Sequence, residues 1–336
     1  MDAGTEKPPQ PLKGRTAVVA GATRGAGRGI ACMLGEAGAT VYCTGRSSRP
    51  RRSGSAEADD PDRGPSARKR PETIEETAEK VDASGGRGIA VQVDHMRPDQ
   101  VEALFARVKR EQGRLDILVN DIWGGDDAVE WDKPFWELSL EKGLPMLANA
   151  VHTHIITSRY GAPLLLETGD GLIVEITDGN TLGYRGNFLY DLVKSTVIRL
   201  AYNQAFELRR HKVAAVAVTP GFLRSEAMLE LFGVTEANWR DGARQDPHFL
   251  ASETPFFVGR AVAALAADAR VMEKSGRVFS SWDLSDEYGF TDIDGERPHW
   301  GRHWEQAFGK PLRALDEGYY AYGKESPIEA VRPDWP

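Results

Sequence analysis

The stretch Arg15–Gly38, RTAVVAGATRGAGRGIACMLGEAG, decides how the rest of the chain is read. It opens on a short apolar run, the form of a strand buried on both faces. Gly21, Gly25 and Gly27 follow, and GAGRGIACMLGEAG then reads as a helix with a glycine stop. A strand that opens through glycines into a helix sets free N–H groups and a positive dipole end beside a turn that another group can approach closely. A pyrophosphate needs these features, so Gly21, Thr23, Arg24, Gly25, Ala26 and Gly27 are candidate dinucleotide ligands. A tight structural turn is the alternative.

Outward from this unit, strand and helix alternate without a break. ATVYCTG, GIAVQVD, LDILVN, GLIVEITD, VAAVAVTPG and GRVFSS read as six further strands. Helical segments lie between them, among them a long helix around 139–160, the segment YDLVKSTVIRLAYNQAFELRR, and a helix over 255–268. Near-continuous apolar strands separated by helices imply a parallel sheet covered on both faces. The expected fold is α/β, a single doubly wound Rossmann domain with a parallel seven-stranded sheet over residues 15–300. Residues 1–14 read as a disordered leader, 47–71 as a polar loop insertion, 222–250 as a substrate lid and 301–336 as a C-terminal extension.

Composition narrows the function classes. The 336 residues are 41% hydrophobic, ordinary for a globular core, and the net charge of −8 argues against nucleic-acid binding. Cys32 and Cys43 make no disulfide framework, no eighteen-residue apolar run occurs, and the polar N-terminus is no signal peptide. A cytoplasmic protein without membrane or nucleic-acid partners is expected.

The second strand bears on the cofactor. An NAD site usually ends that strand on an acid for the ribose 2′-hydroxyl. Here it ends Thr44-Gly45-Arg46, and Arg24 lies in the glycine turn. A guanidinium grips a 2′-phosphate that a carboxylate would repel, which favours NADP(H). The 47–71 loop has two readings, a flap over the cofactor or a mobile surface loop.

Tyr190 and Lys194, four apart on a predicted helix, share one face. A neighbouring ammonium lowers a phenol's pKa, so the pair is a candidate proton-transfer unit.

The ordered set of the glycine turn, Asp94, Asn120, Tyr190-x-x-x-Lys194 and Pro220-Gly221 resembles the classical short-chain dehydrogenases/reductases from about residue 14 to 300. The fragments GRGIACMLGEAGATVYCTGR, EQGRLDILVN, FELRRHKVAAVAVTPG and DEYGFTDIDGERP carry a closer likeness to one subgroup. The resemblance implies a nicotinamide-dependent oxidoreductase acting on a small molecule, as a homodimer or homotetramer. It implies that Tyr190 donates the proton and that Lys194 lowers its pKa and holds the nicotinamide ribose. Asn149 would support a relay water, Asp94 receive the adenine, Asn120 hold the turn beside the adenosine ribose, Pro220 and Gly221 wall the nicotinamide, and Ser225 bond its carboxamide.

The chain departs from the family at one position. Where the family places a serine that donates to the substrate carbonyl, this chain has Asp178, preceded by Thr177. An ionised carboxylate only accepts hydrogen bonds. Three readings stay open: a protonated Asp178, an Asp178 that binds a substrate donor while Thr177 serves the carbonyl, or another reaction. Reduction of a carbonyl of a mostly apolar molecule, or oxidation of the matching alcohol, is the main expectation. Imine or enone reduction, or a regulatory NADPH-binding protein without chemistry, are the alternatives. Trp123, Trp131, Phe135, Trp136, Tyr184, Phe188, Phe222, Met228, Phe232 and Trp239 are candidate pocket aromatics and apolar residues. His152 and His154 point to different helix faces, and no metal site is expected.

Overall fold

The computed structural model describes residues 10–49, 70–181 and 183–312. Seven strands form one parallel sheet: β1 (Thr16–Ala20), β2 (Thr40–Gly45), β3 (Arg87–Gln92), β4 (Ile117–Asn120), β5 (Gly171–Ile176), β6 (Val213–Thr219) and β7 (Val278–Ser280). Their order is β3-β2-β1-β4-β5-β6-β7. The order reverses between β1 and β4, which opens a crevice at their carboxyl ends.

Alternation along the strands sorts the core into two layers. Ala17, Val19, Val41, Cys43, Ile117 and Val119 face one side, with α1 (Gly25–Glu36) and α8 (Pro255–Ala267). Val18, Tyr42, Leu118 and Ile173 face the other, with α3 (Pro98–Gln112), α5 (Thr153–Thr168) and α6 (Phe188–Leu208). α1 and α8 touch backbone to backbone: a Cβ on Gly29 would lie 1.9 Å from the Pro255 carbonyl oxygen.

All seven expected strands are present, and the structure revises three boundaries. Leu12 is buried and its N–H reaches the Ala37 carbonyl at 2.8 Å, so residues 10–14 belong to the domain and not to a leader. The long helix around 139–160 is two helices, α4 (Leu140–Leu147) and α5, joined by a π-turn over Ala148–His152. The domain also runs past residue 300. α10 (Trp300–Phe308) sets Trp300 against Phe222 (5.7 Å) and His303 against His248 (3.0 Å between ring nitrogens). Most of the 47–71 loop and residues 1–9 and 313–336 lie outside the described residues.

The 222–250 segment folds around its own aromatic rings. Phe222, Phe232 and Trp239 all pack on Phe249, with centroids 4.5–6.0 Å apart, and Trp239 and Phe249 are buried. Trp239 is therefore a packing residue of the segment, not part of a pocket wall. Glu253 ties the base of the segment to the sheet: its Oε2 accepts from the Gly221 N–H (2.9 Å) and the Ser281 hydroxyl (2.6 Å).

Burial pushes the Glu253 carboxyl up to about 8, against those two hydrogen bonds. The folded protein thus keeps a proton that the unfolded chain releases near 4.5. With a raised folded pKa, the stability this group contributes is complete below about pH 4.5 and lost as pH rises to about 8. Asp121, pushed up to about 7, adds to the same trend. Glu253→Gln removes one of the two titrations, so its melting temperature should fall less steeply than the wild type's between pH 5 and pH 8. Parallel melting curves would show that Glu253 carries no proton in the folded state.

Candidate active site

Three carboxyl ends of strands converge on one crevice. The first supplies the glycine turn. The Gly21 and Ala22 N–H groups donate to the Thr44 carbonyl, both at 3.0 Å, which binds the turn to the end of β2. Gly21 has φ +94°, and a Cβ there would lie 2.6 Å from the Asp121 carbonyl oxygen; a Cβ on Gly27 would lie 2.3 Å from the Gly21 carbonyl oxygen. These close approaches leave N–H groups as the lining of the turn. The donors already engage anions: the Gly25 N–H donates to Glu226 Oε2 at 2.8 Å, and the Gly27 N–H to the Asp121 carboxylate. A turn whose donors take carboxylates fits a pyrophosphate.

Arg24 caps α1 without a side-chain cap bond, half-buried, and Arg46 is exposed at the end of β2. A Cβ on Gly45 would lie 2.6 Å from the Thr23 hydroxyl, so the ends that carry these two arginines adjoin. Asp94 accepts from the Met96 N–H at 2.9 Å and shapes the turn after β3.

The third strand end carries the chemistry. Asn187 caps α6, its Oδ1 accepting from the N–H groups of Leu189 (3.1 Å) and Tyr190 (3.0 Å), and so fixes the start of the helix. Tyr190 donates its hydroxyl proton to Asp178 Oδ2 at 2.7 Å. Arg185 fastens the connecting loop, donating to the carbonyls of Asp178 (2.5 Å) and Thr181 (2.7 Å) and to Asp191 (2.8 Å). Lys194 Nζ lies 5.4 Å from the Tyr190 ring centre and 4.2 Å from that of Trp123, a cation–π contact. Trp123 and Trp131 flank Tyr190 at 5.3 and 5.1 Å. Asn149 sits in the π-turn, where the Thr153 hydroxyl bonds back to its carbonyl, and its side chain faces Gly124.

Other expected site residues have these partners in the structure. Thr177 is buried and donates its hydroxyl to the Lys194 carbonyl at 2.8 Å, so it braces α6 against the end of β5. Ser225 is the N-cap of α7 (Glu226–Leu231), accepting from the Met228 N–H at 3.4 Å, which leaves its O–H free to donate. Asn120 is fully buried and donates to Glu175 Oε1 and to Ser158 Oγ, both at 2.9 Å, beneath the crevice. Pro220 and Gly221 do lie at the β6 end of the crevice, with Gly221 held by Glu253. Sequence reading missed the buried pair formed by Glu175 and His154, 2.7 Å apart; the signal was a lone carboxylate in the apolar run GLIVEI. His154 Nε2 faces the Ile122 carbonyl at 3.1 Å, which anchors the loop carrying Trp123. Burial pushes Asp121 up to about 7, opposed by the charge of Lys194.

Among the described residues no group of three or more His, Cys, Asp or Glu is placed to hold a metal ion, and no helix is long and apolar enough to cross a membrane.

The chain is similar to known proteins. The family model for the short chain dehydrogenase matches residues 65–233. Dehydrogenase/reductase SDR family member 1 of Mus musculus is 37% identical over 290 residues, 85% of each chain. Its Homo sapiens counterpart is 35% identical over 295 residues, again 85% of each. A crystal structure of a short chain dehydrogenase from Mycobacterium thermoresistibile superposes with a TM-score of 0.68 at 22% identity, covering 91% of this chain and 95% of its own. The glycine turn, the Tyr190–Lys194 helix and these matches place the chain in the short-chain dehydrogenase/reductase family, oxidoreductases that use a nicotinamide cofactor on small molecules.

Proposed function

We propose that the protein is an NADP(H)-dependent carbonyl reductase in which Tyr190 delivers the proton and Asp178 selects the substrate. The observation that carries this reading is the 2.7 Å bond from the Tyr190 hydroxyl to Asp178, with Lys194 one helical turn away. Gly21, Thr23, Arg24, Gly25, Ala26 and Gly27 would hold the pyrophosphate and Arg46 with Arg24 the 2′-phosphate; Lys194 would hold the nicotinamide ribose, and Pro220 and Gly221 would wall the ring. A nicotinamide held there would supply a hydride to the carbonyl carbon, and Tyr190 would give its hydroxyl proton to the carbonyl oxygen.

Lys194 favours the phenolate that remains, because opposite charges in a partly desolvated site attract strongly. Asp178 acts in the opposite sense, since an acceptor-only group beside the phenol keeps its proton in place. The phenol has one proton, and in this structure it points at Asp178. A substrate bearing its own O–H or N–H beside the carbonyl can satisfy Asp178 instead, which frees the Tyr190 proton for the carbonyl oxygen. A simple ketone offers no such donor, and its oxygen would face carboxylate lone pairs. The same argument extends to protonated imines, whose N–H suits Asp178. The aromatic rim of Trp131, Phe135, Trp136, Tyr184 and Phe188, all exposed, suits a large apolar body on the substrate. Assembly as a homodimer or homotetramer and a cytoplasmic location belong to the same reading.

Tyr190→Phe should lower kcat/KM for carbonyl reduction by about 10²–10⁴-fold, the usual contribution of a general acid, with dinucleotide affinity retained. Unchanged turnover would remove Tyr190 from the mechanism. Asp178→Ser should improve simple ketones and impair α-hydroxy or α-amino ketones, each by roughly tenfold, since one hydrogen bond to a charged group is gained or lost. If both substrate groups shift together, Asp178 is not selecting on a substrate donor.

A further inference from the structure

The first helical residue of α7 lies on the glycine turn. Glu226 accepts from the Gly25 N–H at 2.8 Å through Oε2, and its Oε1 is 3.6 Å from Arg28 Nη1. Arg28 is buried at the base of the turn, pairing with Glu76 (2.9 Å) and donating to the Thr23 carbonyl (3.1 Å). Ser225, the preceding residue, packs on Gly25, where a built Cβ would be 3.9 Å from the serine Cβ. One turn further along α7, Glu230 reaches Arg70 at 2.8 Å, at the described end of the polar loop. Glu226 thus holds α7 on the turn, on an N–H that a pyrophosphate would use, while Glu230 pairs with Arg70 and meets none of the turn's N–H groups.

We propose that Glu226 is an internal competitor for the cofactor phosphates, a latch that closes α7 over the glycine turn until the dinucleotide displaces it. This rests on the reading of that turn as the pyrophosphate site. A carboxylate on the N-terminus of α1 is itself stabilised by the helix dipole and by the Arg28 charge, so it is a good stand-in for a phosphate oxygen. Both anions cannot share the Gly25 N–H, and like charges at that distance repel. Cofactor entry therefore releases Glu226 and frees α7, the start of the segment that leads from Gly221 towards the substrate side. The chain thereby couples cofactor occupancy to access for substrate, and the cofactor's affinity is reduced by the fraction of molecules in which the latch is closed.

The experiment compares wild type, Glu226→Gln and Glu230→Gln for binding of NADPH, NADH and inorganic pyrophosphate by calorimetry at fixed ionic strength. Amide hydrogen exchange is followed over residues 226–231. Glu226→Gln should bind all three probes at least about tenfold more tightly, the scale set by losing a charge-assisted contact. Glu230→Gln should match the wild type. In the wild type, exchange over 226–231 should rise when a probe binds; in Glu226→Gln it should be raised beforehand. Equal or weaker binding by Glu226→Gln overturns the latch, and equal tightening by both variants reduces the effect to net charge and overturns it as well. Tighter pyrophosphate binding by Glu226→Gln without binding of either dinucleotide would keep the latch and refute the cofactor assignment.

Discussion

The structure depends on a contact without side chains. Gly21, Gly27 and the Asp121 backbone meet so closely that a single Cβ on either glycine would lie 2.3–2.6 Å from a carbonyl oxygen. This contact draws the β1–α1 and β4–α4 connections together where the strand order reverses. Glycine is needed at Gly21 for a second reason, its φ of +94°, which side chains rarely adopt.

From that contact the site extends by charge. Asp121 accepts from the Gly27 N–H while Lys194 opposes its upward shift, so the turn and the tyrosine helix share one electrostatic field. Trp123, on the same connection as Asp121, lies against Lys194 and edge-on to Tyr190. Beneath them Glu175 receives Asn120, Gln204 and His154, all within 2.9 Å, a buried network that fixes β4, β5, α5 and α6 relative to one another. Tyr190 is therefore held from three sides: by the Asn187 cap, by two tryptophans and by Asp178.

The strands and the Tyr190 helix were legible because local signals suffice for them: mostly apolar runs of three to seven residues, glycines at breaks, and a pair at i, i+4. Glu226 was not legible, since its partner Gly25 lies 201 residues away and only the folded chain brings them together. The Thr177 bond was not legible for a related reason: a hydroxyl's direction depends on the nearest acceptor, here the Lys194 carbonyl. The capping role of Ser225 was legible, since a serine before Glu-Ala-Met is an ordinary N-cap signal. The π-turn, where Thr153 bonds back to the Asn149 carbonyl, is a feature that helical periodicity does not report.

The central claim is that Tyr190 and Asp178 serve a hydride transfer from a bound nicotinamide to a carbonyl carbon. Its most direct measurement follows an isotope: NADPH carrying deuterium at the transferable C4 position is supplied with an α-hydroxy ketone, and the product is examined by mass spectrometry. The account predicts one deuterium on the former carbonyl carbon of each product molecule and a hydroxyl proton drawn from solvent. Product without deuterium at that carbon, or NADPH consumed without reduced product, would contradict it.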